Sequence, residues 1–307
     1  SIVTDSKEER ARALDGLTTL CEFFQNRVCK GPSDEALREF NKSTKEWVSV
    51  TYSELGEKVL SWRKAFAALN LKRGDRVAML LPNGVNAVCF DQAAMANTLV
   101  PVPLHAIDTP ASSAYILQDS GASVLVTDKV SKWEKIKEAG FDLSALKKVI
   151  ITDDEAPSGG MVSALAAWLA SASQNADLPD SPTEQDLACI VYTSGTTGRP
   201  KGVMLTHKNI TSNVRSTLAH VKPEVGDIFL SFLPLSHMFE RTAGYYLALA
   251  TGSTIVFNRS LQYLAEDFRI AKPNVLISVP RVYERIYGKL NKVLLDKGPV
   301  AKKVFET

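Results

Sequence analysis

The sequence predicts an α/β fold in which two stacked, parallel-type sheets carry helices on their faces. Short, continuous apolar runs of buried-strand type recur at residues 77–81, 124–127, 149–151, 228–232, 253–257 and 275–279. Segments with helical apolar spacing lie between them, and that alternation builds parallel sheets covered on both sides. With 307 residues, 45% of them hydrophobic, the chain can bury one large core or two smaller ones.

Each element has a local reason. Thr51 and Glu54 have the spacing of a capping box, and behind them Leu55, Val59, Trp62, Phe66 and Leu69 form one apolar helix face. A turn at 72–75 leads into strand 77–81, and Asn83-Gly84 opens a helical pattern running through Asn97. Residues 188–192 read as a buried strand. Thr206 caps a helix carrying Ile210, Val214, Leu218 and Val221. Residues 153–186 read as surface connection around one short helix at 161–172.

Composition narrows the function. The formal charge of +2 is too balanced to imply a nucleic acid or an acidic membrane surface as partner. Cys21, Cys29, Cys89 and Cys189 form no Cys-x-x-Cys pair and read as reduced, buried thiols. His105, His207, His220 and His237 are too scattered for a metal cluster. The charged first twelve residues lack an apolar signal core, and no run reaches the ~18 apolar residues that span a bilayer. A cytoplasmic location is the expectation, with peripheral membrane contact left open.

The chemistry sits in Tyr192-Thr-Ser-Gly-Thr-Thr-Gly-Arg-Pro-Lys-Gly202, directly after the 188–192 strand. Gly195 and Gly198 can adopt positive φ, so that successive amides turn inward around an anion. Thr193, Ser194, Thr196 and Thr197 supply hydroxyl donors and Lys201 a positive charge. Such a loop suits nucleotide phosphates. It is not a Walker A loop, because the lysine follows Pro200 in a turn between two strands rather than a glycine opening a helix.

This string resembles the signature of the AMP-forming acyl-activating superfamily. Val50-Thr-Tyr-Ser-Glu-Leu55, the 71–83 segment and Val100-Pro-Val-Pro-Leu104 are similar to further motifs of that group. Ser236-His-Met-Phe-Glu-Arg241 and Val279-Pro-Arg-Val-Tyr-Glu-Arg285 resemble its long-chain fatty acyl branch. The resemblance implies an acyl-CoA synthetase-like fold, with one subdomain at 71–206 and another combining 17–70 with 209–307. It also implies an incomplete N-terminal AMP-binding domain, since the family's C-terminal mobile domain has no counterpart here. ATP, Mg²⁺ and CoA are the implied cofactors and co-substrates, and a long-chain fatty acid is the implied substrate.

By resemblance, Thr193, Ser194, Gly195, Thr196, Thr197, Gly198 and Lys201 hold the β- and γ-phosphates, and Thr193 contacts Mg²⁺. His237 follows the apolar run 229–235 at the end of a strand, and by resemblance it lines the pocket where the acyl group and the adenylate meet. Lys201 and His237 are thus the catalytic candidates. Read without the resemblance, His237 caps the strand. Tyr283 and Tyr287 read as core, with a place in an acyl tunnel as the minor alternative. Ser236 lacks the Gly-x-Ser-x-Gly elbow of a hydrolase.

Three functions compete: a fatty acid–CoA ligase, an adenylating enzyme that passes the acyl group to a carrier protein, and a non-catalytic nucleotide-binding fragment. The expectation is that the parent enzyme makes acyl-CoA and that this chain alone turns over poorly.

Overall fold

The structure, a computed structural model, describes residues 14–156, 160–194 and 198–277, together with Glu284 and Gly288. The first helix, α1 (Leu20–Lys30), is capped by the Thr19 side chain, which accepts from the Glu22 amide. The hairpin of β1 (Glu35–Asn41) and β2 (Glu46–Thr51) follows. Helix α2 (Tyr52–Ala67) starts on the Thr51 cap, with Tyr52, Leu55, Val59, Trp62, Ala65 and Phe66 buried.

Five parallel strands then come from one contiguous stretch. They are β3 (Arg76–Leu80), β4 (Val100–Pro103), β5 (Val124–Thr127), β6 (Lys148–Ile151) and β7 (Val162–Ala164), in spatial order β4-β3-β5-β6-β7. Their connections are α3 (Val85–Ala96), α4 (Pro110–Ser120) and α5 (Val130–Glu138). The last strand runs into α6 (Leu165–Ala170). The apolar runs of β5 and β6 are buried along nearly their whole length, as strands covered on both faces require.

An antiparallel hairpin, β8 (Leu187–Thr193) and β9 (Lys201–Thr206), forms a sheet of its own and leads into α7 (His207–His220). The chain next makes β10 (Ile228–Ser231), a π-helix at Glu240–Tyr246 and α8 (Leu247–Thr251). It ends with β11 (Thr254–Phe257), α9 (Leu264–Ala271) and β12 (Val275–Leu276). The last three strands join the first hairpin in a sheet of order β12-β10-β11-β1-β2, parallel except for the β2 edge.

One core unites the two sheets: Leu37, Phe90, Val124, Val191, Phe229 and Ile255 belong to a single buried apolar cluster. Helix α3 is buried on nearly every side, including Asp91 and Gln92.

Three local expectations change. The stretch expected as one helix at 161–172 begins as β7, where Ser163 and Ala164 pair with β6, and only then turns helical. Cys29 is exposed, because it lies on the outer side of α1, whereas Cys89 and Cys189 are buried with their thiols pushed up to about 12 by desolvation. The 228–232 strand stops at Ser231, and His237 lies beyond it in a turn rather than at the strand end. Residues 278–283 and 285–287, with Arg281, Tyr283 and Tyr287, fall outside the described residues. Among the described residues, no helix is long and apolar enough to cross a membrane.

Candidate functional site

The β8–β9 hairpin brings Thr193 and Lys201 directly opposite one another. Opposed residues of an antiparallel pair share a face, so a hydroxyl and an ammonium leave the hairpin together. Both residues are exposed, as is Ser194, and Lys201 has no ion-pair partner among the described residues. Gly198 has φ +102°, a conformation that favours glycine. Gly195, Thr196 and Thr197 lie outside the described residues.

The strand leading to this turn is firmly held. Tyr192 is buried and donates from its phenol to Asp119 Oδ2 on α4 at 2.7 Å. Burial, reinforced by that carboxylate, pushes the phenol pKa up. The Tyr192 carbonyl lies 2.7 Å from His105 Nε2, and since a carbonyl only accepts, the imidazole must donate there. The Arg199 guanidinium stacks 4.9 Å from the centre of the Tyr115 ring, also on α4. His207, at the start of α7, takes no part in the turn. Its Nδ1 accepts from the Leu20 amide at 3.2 Å, and burial pushes its pKa down to about 4, so it is a neutral tie between α1 and the hairpin exit.

His237 occupies the loop between β10 and the π-helix. Its own backbone is bonded at both ends: its N–H donates to Pro234 O at 2.9 Å and its carbonyl accepts from Arg241 N at 3.0 Å. The imidazole is exposed and has no hydrogen bond among the described residues. It is therefore not spent on capping β10.

Beneath this loop lies a buried polar cluster. Arg241 forms an ion pair with Asp91 of α3, both almost wholly buried. The phenols of Tyr245 and Tyr246 each donate to Asp91 Oδ2 at 2.9 Å, and Gln92 Nε2 donates to the Tyr245 oxygen at 2.8 Å. Glu240 accepts from Ser231 Oγ at 2.9 Å, and burial pushes its carboxyl up to about 8. A Cβ at Gly244 would press against the Glu240 carboxyl, which would have to shift to admit a side chain there.

Geometry sets these pieces at one end of the molecule. Asn83, just past the carboxyl end of β3, hydrogen-bonds to Leu233 and Leu235, just past the carboxyl end of β10. His105, just past β4, touches the carboxyl end of β8. The carboxyl edges of both sheets thus meet where the hairpin turn and the His237 loop emerge, the usual ligand edge of open α/β sheets. A cavity of about 350 Å³ lined by Phe66, Arg73, Asn97, Leu99 and Asp177 lies at the opposite, amino edge and contains none of these groups.

Sequence reading did not single out Asn83, His105, Asp91, Glu240 or Arg241 as site residues. One signal for the last three was present: charged residues inside stretches otherwise apolar enough to be core, which demand a buried partner.

Comparison with known proteins identifies the family. Residues 24–304 match the model of the AMP-binding enzyme family. Fatty acyl-CoA synthetase A of Dictyostelium discoideum is 30% identical over 269 residues, covering 83% of this chain and 39% of that protein. The long-chain-fatty-acid–[acyl-carrier-protein] ligase AEE15 of Arabidopsis thaliana, chloroplastic, is 29% identical, covering 80% of this chain and 36% of that one. The chain therefore spans about two fifths of the length of these relatives. Among solved structures, the N-terminal domain of FACL13 from Mycobacterium tuberculosis superposes with a TM-score of 0.74 at 24% identity, over 87% of this chain and 64% of that one. At that identity the likeness shows the fold alone. The family match spans nearly the whole chain and includes the hairpin and the His237 loop, and so the chain belongs to the AMP-binding enzymes.

Proposed function

We propose that the protein activates a long-chain fatty acid with ATP, forming an acyl-adenylate and then a thioester with CoA. The observation that carries this is the pairing of Thr193 and Lys201 across the hairpin mouth, at the edge where the two sheets meet. Membership of the AMP-binding enzymes and the names of the curated relatives support the fatty-acid class.

The chemistry follows from the groups present. A carboxylate is a poor electrophile because its leaving group would be oxide. Its oxygen attacks the α-phosphorus of ATP, the α–β phosphoanhydride bond breaks, and pyrophosphate departs with the electron pair. The thiol sulfur of CoA then attacks the acyl carbon, the bond from that carbon to the phosphate oxygen breaks, AMP leaves with the electron pair, and the thiol proton is lost to solvent. Negative charge grows on the phosphate oxygens during the first step, where fixed positive groups stabilise it best. Lys201 supplies a point charge, and Thr193 and Ser194 supply hydroxyl donors, with Gly198 completing the turn. Thr196 and Thr197 add hydroxyls and Gly195 an amide in the same role. His237, with its imidazole uncommitted, lines the side where the acid enters.

Mg²⁺ fits as a phosphate-held ion. Thr193 offers one hard oxygen, no cluster of three or more acidic, histidine or cysteine ligands exists among the described residues, and Mg²⁺ commonly takes few protein ligands with the rest from phosphates and water. When bound, it would neutralise charge on the leaving phosphates.

A second reading keeps the adenylation and changes the acceptor to a carrier-protein thiol, and one relative is named for that acceptor. Fatty-acid-dependent exchange of labelled pyrophosphate into ATP tests the shared step in the full-length protein, using acids of increasing chain length. Exchange should rise toward long acids. Exchange indifferent to added acid would refute acyl activation, and a preference for small amino acids would refute the fatty-acid assignment. Supplying CoA and acyl-carrier protein in parallel separates the two acceptors.

A further inference from the structure

His237 holds its place without any side-chain bond of its own, so something else must fix the loop that carries it. The loop is gripped by two side chains. The Asn83 amide is one: Nδ2 donates to Leu233 O at 2.7 Å and to Ser231 Oγ at 3.2 Å, while Oδ1 accepts from Leu235 N at 2.9 Å. Turning that amide over would set oxygen against oxygen and N–H against N–H, so its orientation is determined. Arg241 is the other, donating to Leu235 O at 3.0 Å while paired with Asp91. Both backbone polar groups of Leu235, two residues before His237, are therefore held by side chains.

Asn83 and Asp91 belong to the half of the molecule built on the β3–β7 sheet, against which the phosphate hairpin also rests through His105 and Asp119. The His237 loop belongs to the other sheet. We propose that Asn83 is a positioning residue that sets the distance between the acid side of the site and the phosphate hairpin, an inference that rests on the fatty-acid reading of His237. Asn83 touches no reacting atom, and its effect passes through the backbone of Leu233 and Leu235.

Asn83→Ala, His237→Ala and the double variant test this in the full-length protein, with dodecanoate and palmitate as acids. Loss of the bidentate grip should raise the acid KM in pyrophosphate exchange about tenfold and leave the ATP Kd within about twofold. The double variant should be little worse than His237→Ala alone, because Asn83 acts through that loop. Exchange of the Leu235 amide with deuterium should also speed up about tenfold. Asn83→Asp is the second variant should Asn83→Ala fail to fold. It keeps the acceptor for Leu235 N–H but sets a carboxylate against Leu233 O, and it should raise the acid KM in the same direction. Three results overturn the proposal in distinguishable ways. If His237→Ala leaves the acid KM unchanged, the acid-side reading of that loop fails and the clamp with it. If His237→Ala is damaging and both Asn83 variants are silent, the clamp alone fails. If the Asn83 variants weaken ATP as much as acid, the residue supports the whole fold rather than this loop.

Discussion

Glu240 is a carboxyl held where it resists ionisation. Its ordinary pKa of 4.5 is raised to about 8, first by burial, with the Ser231 hydroxyl pulling weakly the other way. Between those values the folded protein keeps a proton that the unfolded chain has released, so stability falls as pH rises across the window, by at most about 1.4 kcal/mol per pH unit. His207 has the opposite sign: its pKa drops from 6.5 to about 4, so stability grows as pH rises from about 4 to 6.5 and is flat above. The two oppose one another up to pH 6.5, and the Glu240 decline stands alone from there to about 8. Urea melts across pH 6.5 to 8 should show wild type losing stability and Glu240→Gln showing a flatter profile. Equal slopes would remove the buried proton from the account. The sequence showed only that a charged residue sits in an otherwise apolar stretch, not that Glu240 keeps its proton. Its environment is made by Gly244, one helical turn on, and by Ser231 at the end of β10, which the fold brings close.

Elements were legible where burial is two-sided and obscured where charge is locally paired. Strands β5, β6 and β11 are unbroken apolar runs, and a run of that kind has few alternatives. The β1 strand, Glu-Ala-Leu-Arg-Glu-Phe-Asn, gave no such signal, because Glu35 and Arg38 pair with each other and Glu39 is half-buried, accepting from the Val85 amide. The turn between β8 and β9 was readable from Pro200, while the π-helix was not, since its Arg241 pairs with Asp91, 150 positions away. Two predictions belong here. Asp91→Ala leaves Arg241 buried without its partner and should cost about 3–5 kcal/mol in chemical denaturation. Thr206→Ala removes one half of a capping box whose other half, Asn209, accepts from the Thr206 amide at 3.0 Å, and should cost about 1 kcal/mol. If the first loss is no larger than the second, the ion pair is not what secures the π-helix.

At the scale of the whole molecule, two sheets share one core and bring their carboxyl edges together. That convergence gives scattered motifs a common location: the hairpin mouth from one part of the chain, the His237 loop from another, and Asn83 bridging them. The sequence contained the hairpin, because a buried strand followed by a Pro200 turn is a local pattern. It did not contain the bridge, because Asn83 and Leu235 are 152 positions apart and meet only through folding. The central claim is that the hairpin mouth holds a triphosphate, and calorimetric titration of ATP and AMP into wild type and Lys201→Ala tests it most directly. Losing one charge-assisted contact should weaken ATP about tenfold to a hundredfold and leave AMP nearly unchanged. Equal ATP affinity in both proteins would contradict the account.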